Sequence, residues 1–299
     1  MKRIILGLAC TLALAVMPLA AGSHHHSDHN DDGHEMNISI DTDDDDVIND
    51  CSQVKVRYEG EPAVRAEENL PASGLTRLHI NARKHGGVHV SGWNQSGWSI
   101  KVCKAAVDAA ALNDIHVSLS GDELSANSSS NQAYVYFLIK APHNATLDVD
   151  STNGPIGLYE VNGTLKLRAQ NGPVSMKKSS GTIDASTVNG PISFSDGSGN
   201  VKLSAQNGPI SVKLEGSSWD GSLDATTQNG PLSLKLPRNY RSGVLAEARG
   251  HGPVSCKADA CSGAKRTWDD EENRRIELGS GPAVIHVSTN NGPLSIKER

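Results

Sequence analysis

The sequence predicts an all-β protein, a single-stack β-solenoid built from coils of roughly 18–22 residues joined by Asn-Gly-Pro turns. Three observations carry that expectation. Asn-Gly-Pro recurs at Asn153, Asn171, Asn189, Asn207, Asn229 and Asn291, with His251-Gly252-Pro253 as a variant. The spacings are 18, 18, 18, 22 and 22 residues up to His251, then 40 to Asn291. On both sides of each Asn, apolar residues alternate with polar ones, the period of a half-buried strand. A unit of two short strands cannot bury its apolar side alone, so such units must stack.

Composition narrows the class. The chain has 299 residues, 4% aromatic and 21% charged, with 29 Gly and 13 Pro. So few rings argue against a conventional large core, while the β-branched alternation argues against disorder. The formal net charge of -6 excludes a general nucleic-acid binder.

From the N-terminus, Lys2 and Arg3 precede an apolar stretch over residues 4–19 that ends in Pro18-Leu19-Ala20-Ala21-Gly22. That is the pattern of a signal peptide over residues 1–21, implying export to the periplasm, the cell surface or the medium. Gly7 stands where a lipoprotein signal before Cys10 would want Leu. No later apolar run approaches the ~20 residues of a membrane helix, so the mature chain has no expected transmembrane segment.

Residues 22–50 carry ten acids, no Lys or Arg, and five histidines, His24, His25, His26, His29 and His34. This reads as a disordered leader. With it and the signal peptide set aside, 26 of the 28 basic residues and 24 of the 34 acidic ones remain. The five histidines are the candidate metal ligands, since imidazole suits Zn, Ni or Cu, but their spacing defines no coordination geometry and no cofactor is expected. Asp41 to Asp45 begin like a calcium loop, yet Asp46 and Ser52 replace its Gly and final Glu. Export makes Cys51, Cys103, Cys256 and Cys261 disulfide candidates. Of the three possible pairings, Cys256–Cys261 with Cys51–Cys103 closes the cheapest loops.

Residues 51–299 form the stack. Short strands are expected over 75–102 and 133–140, with a short helix or a loop over 104–113. The clean repeats run over 145–263, an insertion over 264–275 and a closing coil over 276–299. Before each Asn, the inward column holds Leu167, Ala185, Leu203 and Ala225. After each Pro come Val174 and Met176, Ile192 and Phe194, Ile210 and Val212, and Leu232 and Leu234. The coil with small Ala185 carries large Phe194, as dense packing requires. Asn and Gly tolerate positive φ at the turns, and stacked Asn side chains can form an amide ladder. In 244–249 the alternation slips, which suggests a bulge.

The recurrent Asn-Gly-Pro-Ile-Ser type units, the segment Gly86-Gly87-Val88-His89-Val90 and the run from Ala283 through Asn291-Gly292-Pro293-Leu294-Ser295-Ile296 resemble the bacterial putative-adhesin family of exported β-strand repeat proteins. The resemblance covers about residues 54–297. It implies a stacked β fold and export, and brings no catalytic residues with it.

Function can be written only on the outward positions. One column reads Asp148, Lys166, Asp184, Lys202 and Asp224, alternating in sign as register-setting ion pairs do. The other reads Lys177, Lys213, Lys235, Lys257 and Lys297, next to a column of serines, with Lys213, Lys235 and Lys257 expected on consecutive coils. Stacked like charges without an acid suit an anionic envelope polymer or a partner protein. The acidic leader is then an intramolecular competitor for that stripe. No P-loop, dinucleotide fingerprint, nucleophile elbow or zincin motif occurs. The expected function is a non-enzymatic binding or envelope-structural module. The alternative is a carbohydrate-active β-helix enzyme using exposed Asp and Lys. Oligomeric state and ligand are not encoded legibly.

Overall fold

The structure is a computed structural model describing residues 36–40, 47–82, 86–250, 252–268 and 274–299. The five histidines of the leader lie outside the described residues. Among the described residues the chain is nearly all strand, in one sheet of twelve strands, one of eleven and one of three. Each repeat sends its first strand to the twelve-stranded back sheet and its second to the eleven-stranded front sheet. Asn162–Asn171 and Val174–Lys177 are one such pair, here called a rung.

Neighbouring rungs pair in parallel with every residue beside its own counterpart. Leu165 faces Ile183, Ile183 faces Val201, and Val201 faces Leu223 in the back sheet. In the front sheet Val174, Ile192, Ile210 and Leu232 line up in the same way. The inward columns meet between the two sheets, where Leu167, Ala185, Leu203 and Ala225 are all buried, as expected. Phe194 is also fully buried and meets the Trp219 ring edge-on at 6.1 Å. Burying each such large side chain stabilises the fold by about 1.5–3 kcal/mol.

The turn residues are selected by contact between rungs. Each Asn amide donates to the side-chain oxygen of the Asn before it, from Asn171→Asn153 through Asn291→Asn229, at 2.9–3.0 Å. The following glycines serve a different purpose from the expected one. Gly172, Gly190, Gly208 and Gly230 do not have positive φ. A Cβ on Gly190 would lie 2.2 Å from the Gly172 carbonyl oxygen, so the need is for close backbone approach. Buried hydroxyls satisfy several of these carbonyls: Thr227 donates to Gly208 O at 2.8 Å and Thr289 to Gly230 O at 2.9 Å. Thr227→Val is therefore expected to lower unfolding stability by about 1–2 kcal/mol, read from urea midpoints, because it removes that bond without opening a cavity.

The order of rungs departs from the sequence reading. The C-terminal unit is not the closing one. Its strand Ser280–Asn291 lies between Gly221–Asn229 and Ser242–Ala248, with Ile285 paired to both Leu223 and Val244. In the front sheet Ile296 likewise faces both Leu234 and Cys256. The chain skips one strand spacing after Leu236, and the last unit returns to fill it. The expected insertion is largely an edge cover: Lys265–Trp268 pairs antiparallel with Arg274–Leu278, which pairs with the outer side of Ser242–Ala248. The register slip is a shift between Ser242 and Val244, just before the expected stretch.

The leader is folded at its C-terminal end, contrary to expectation. Met36–Ile40 pairs antiparallel with Val54–Tyr58, and Val47 and Ile48 are buried. Met36, Ile38 and Ile40 alternate toward a second small core of Val54, Val56, Tyr58, Tyr134, Tyr136 and Leu138. This cap covers the outer side of the front sheet at its N-terminal end. A disulfide from Cys51 to Cys103 fastens it, with Cα atoms 5.4 Å apart, and Cys256 pairs with Cys261 at 5.8 Å. The stretch 104–113 ends in a helical turn, Ala109–Asn113, whose start is capped by Asp108.

Candidate functional site

The front sheet changes character along its outer side. Under the cap it presents Tyr134, Tyr136 and Leu138, all buried. His89 marks the border: it is 4% exposed, takes the Ile48 N–H on Nε2 at 3.4 Å, and leaves room only for glycine at the adjacent Gly157. The strand after it, Ile156–Tyr159, turns Gly157 and Tyr159 outward, and past that strand the outward residues are Ser or Lys. One column runs Ser175, Ser193, Ser211, Ser233, Ser295 and Ser255. The next runs Lys177, Ser195, Lys213, Lys235 and Lys297. Lys257 follows Cys256, the partner of Ile296, and its N–H donates to Ile296 O at 2.8 Å, placing it beside Lys297.

The stripe is therefore brought together, but in a different order from the expected one. Lys297 stands between Lys235 and Lys257, and Ser195 separates Lys177 from Lys213. Lys213, Lys235 and Lys297 occupy three adjacent strands about 4.8 Å apart, and Lys257 continues the line just past the end of the fourth, Val254–Cys256. Among the described residues these four make no ion pair. Nearby acids are already engaged: Arg299 holds Asp196 at 2.9 Å and Glu215 at 3.0 Å. Lys178 lies 5.1 Å from the Tyr159 ring centroid and 3.4 Å from Glu160. Side-by-side ammonium groups repel, and the described residues place no paired acid against them.

The back sheet carries the alternating column in register, Asp148 beside Lys166, Lys166 beside Asp184, Asp184 beside Lys202, and Lys202 beside Asp224. The column continues to His79 at one end and His286 at the other. Its strongest contacts involve a residue the sequence reading passed over. Arg168 donates to Asp148 at 2.6 Å and to both oxygens of Asp150 at 2.6 and 2.9 Å. Reading the next outward column, Asp150 then Arg168, would have found it. His79 Nε2 lies 3.1 Å from Asp150, and His286 bridges Asp224 at 3.4 Å and Glu247 at 3.0 Å.

His79, Asp148 and Asp150 come within 4.8 Å of one another, the one such trio among the described residues. The Arg168 guanidinium already supplies the positive charge there. Its hydrogen bonds hold the Asp150 carboxyl below the ordinary carboxylate range. A lowered carboxylate stabilises the fold above its unfolded pKa, and that gain is lost as pH falls through the lowered value. Arg168→Met is thus expected to cost about 1–2 kcal/mol at pH 7. The gap from wild type should narrow in urea midpoints as pH falls below the ordinary carboxylate range and through the lowered value.

No family model matches the chain, and no curated protein does. Among solved structures the chain is similar to a putative cell adhesion protein from Clostridium sporogenes, at 12% identity and a TM-score of 0.34, covering 79% of this chain and 100% of that one. A putative adhesin from Bacteroides fragilis is 12% identical with a TM-score of 0.43, covering 79% of this chain and 97% of its own. A putative adhesin from Parabacteroides merdae is 12% identical with a TM-score of 0.22, covering 79% and 96%.

Proposed function

We propose that the chain is an exported single-stack β-solenoid acting as an adhesin-like binding module, whose open front face takes an anionic partner of the cell envelope. The carrying observation is the run of Lys213, Lys235 and Lys297 on adjacent strands, continued by Lys257 just past the end of the next, with no ion pair to any of the four among the described residues. The same face is apolar where the cap covers it and, past Gly157 and Tyr159, Ser/Lys where it is bare, so that part is shaped for water or for a polar partner. The two disulfides suit the oxidising compartment that export reaches. Against the enzyme alternative, glycoside cleavage needs a carboxyl raised to serve as general acid. The carboxylates with resolved shifts, Asp50, Asp114, Asp150 and Glu298, all move down.

With a formal net charge of -6 the chain has no overall attraction to a polyanion, so retention would report a local patch. The exported chain is expected to be retained on an immobilised sulfonate matrix at pH 7 and low salt, and released as salt screens the contact. The fourfold variant Lys213→Gln, Lys235→Gln, Lys257→Gln, Lys297→Gln is expected in the flow-through. Equal elution of the two proteins contradicts the reading.

A further inference from the structure

The open face also restricts which polyanion fits it. On Val174–Lys177, Ile192–Ser195, Ile210–Lys213 and the matching positions of the next strands, the outward side chains are serine or lysine only. No aromatic ring stands among them to stack a nucleobase or a neutral sugar face. No arginine fork stands in either column, so there is no planar bidentate site of the kind that favours phosphate. What the face offers is one ammonium per strand, a line of positive charge repeating every ~4.8 Å. Two residues back on each strand lies a hydroxyl, Ser211, Ser233, Ser295 and Ser255, able to donate or accept.

A polyphosphate or a densely sulfated glycan carries more negative charge per unit length than this line neutralises. A chain with widely spaced phosphodiesters carries less and leaves lysines unmatched. A 1,4-linked polymer of uronic acids carries one carboxylate per sugar, and one such sugar is about as long as the strand spacing. Its ring hydroxyls match the serine column, and the flexible lysine stem reaches a carboxylate on either edge of the sugar ribbon. We infer that the front face binds a 1,4-linked polyuronate laid across the strands, along the stack from Lys213 to Lys257. This deepens the reading of the basic face and rests on it.

The test is calorimetric binding of the exported chain to oligogalacturonates of increasing length, to their methyl esters, to dextran sulfate and to polyphosphate. Affinity is expected to rise with length until the oligomer spans the four lysines, about four sugars, and then to level. Methyl esterification is expected to abolish binding. The fourfold Lys→Gln variant is expected to bind about thirtyfold more weakly, as four exposed ion pairs imply. Lys166→Gln with Lys202→Gln, on the back sheet, is expected to leave binding unchanged. Tighter binding of dextran sulfate or polyphosphate than of the oligouronate overturns this inference and leaves the basic-face reading standing. Failure of every polyanion to bind, or equal binding by the fourfold variant, overturns both.

Discussion

Replacing Gly190 by alanine is expected to cost about 3 kcal/mol or more of unfolding stability, a large part of the ~5–15 kcal/mol typical of a folded domain. The added Cβ would meet the Gly172 carbonyl oxygen at 2.2 Å and its carbon at 2.8 Å. Both are backbone atoms of the neighbouring rung, and they cannot turn aside as a side chain would. Relief requires the rungs to move apart, and the Gly190 N–H is itself tied to Asn207 O at 3.1 Å on the other side. The flanking amide contacts, Asn189 to Asn171 and Asn207 to Asn189, would be strained by the same movement. Gly97 provides the control, because a Cβ there meets nothing within 4 Å. Urea midpoints should fall sharply for Gly190→Ala and stay near wild type for Gly97→Ala. Equal midpoints would show that rung contact does not select glycine.

The second large effect belongs to the disulfides, and the two should differ. Cys51 and Cys103 are 52 residues apart in sequence, Cys256 and Cys261 only 5. In the loop-entropy account the first contributes about 4 kcal/mol and the second about 2. Loss of the first also frees the cap, which is then held by Ile48, Val54, Val56 and Tyr58 packed on Tyr134, Tyr136 and Leu138. Asp50 helps from the same turn: it accepts the Ser52 N–H at 3.0 Å and pairs with Lys101 at 3.1 Å, contacts that hold its carboxyl at about 2. Cys51→Ser with Cys103→Ser should therefore lower the denaturant midpoint about twice as far as Cys256→Ser with Cys261→Ser. A larger loss from the short loop would contradict this account.

Much of the architecture was legible because a strand side chain has only two directions. Once Asn171, Asn189 and Asn207 align the units, Leu167, Ala185 and Leu203 must share one side and Lys166, Asp184 and Lys202 the other. The rung order was not legible for a related reason. Val254 with Cys256 and Leu294 with Ile296 present equivalent inward pairs to Leu232 and Leu234. Local pattern cannot choose between these neighbours; the path after Leu236 and the cover over Ser242–Ala248 decide it. The strand Met36–Ile40 was hidden by the acids around it, since charge counted over a window outweighs three alternating apolar residues. Of the candidate site, the columns were readable and their order was not. Arg168 was missed because only one outward column of the back sheet was followed.

Lysine footprinting tests the central claim, that the bare front face is where the partner binds. The chain from Gly22 onward would be acetylated under limiting reagent, with and without saturating oligogalacturonate, and each lysine quantified by mass spectrometry. Lys213, Lys235, Lys297 and Lys257 are expected to become protected together, while Lys166 and Lys202 on the back sheet keep their reactivity. Protection confined to Lys166 and Lys202, or spread evenly over both faces, would contradict the account.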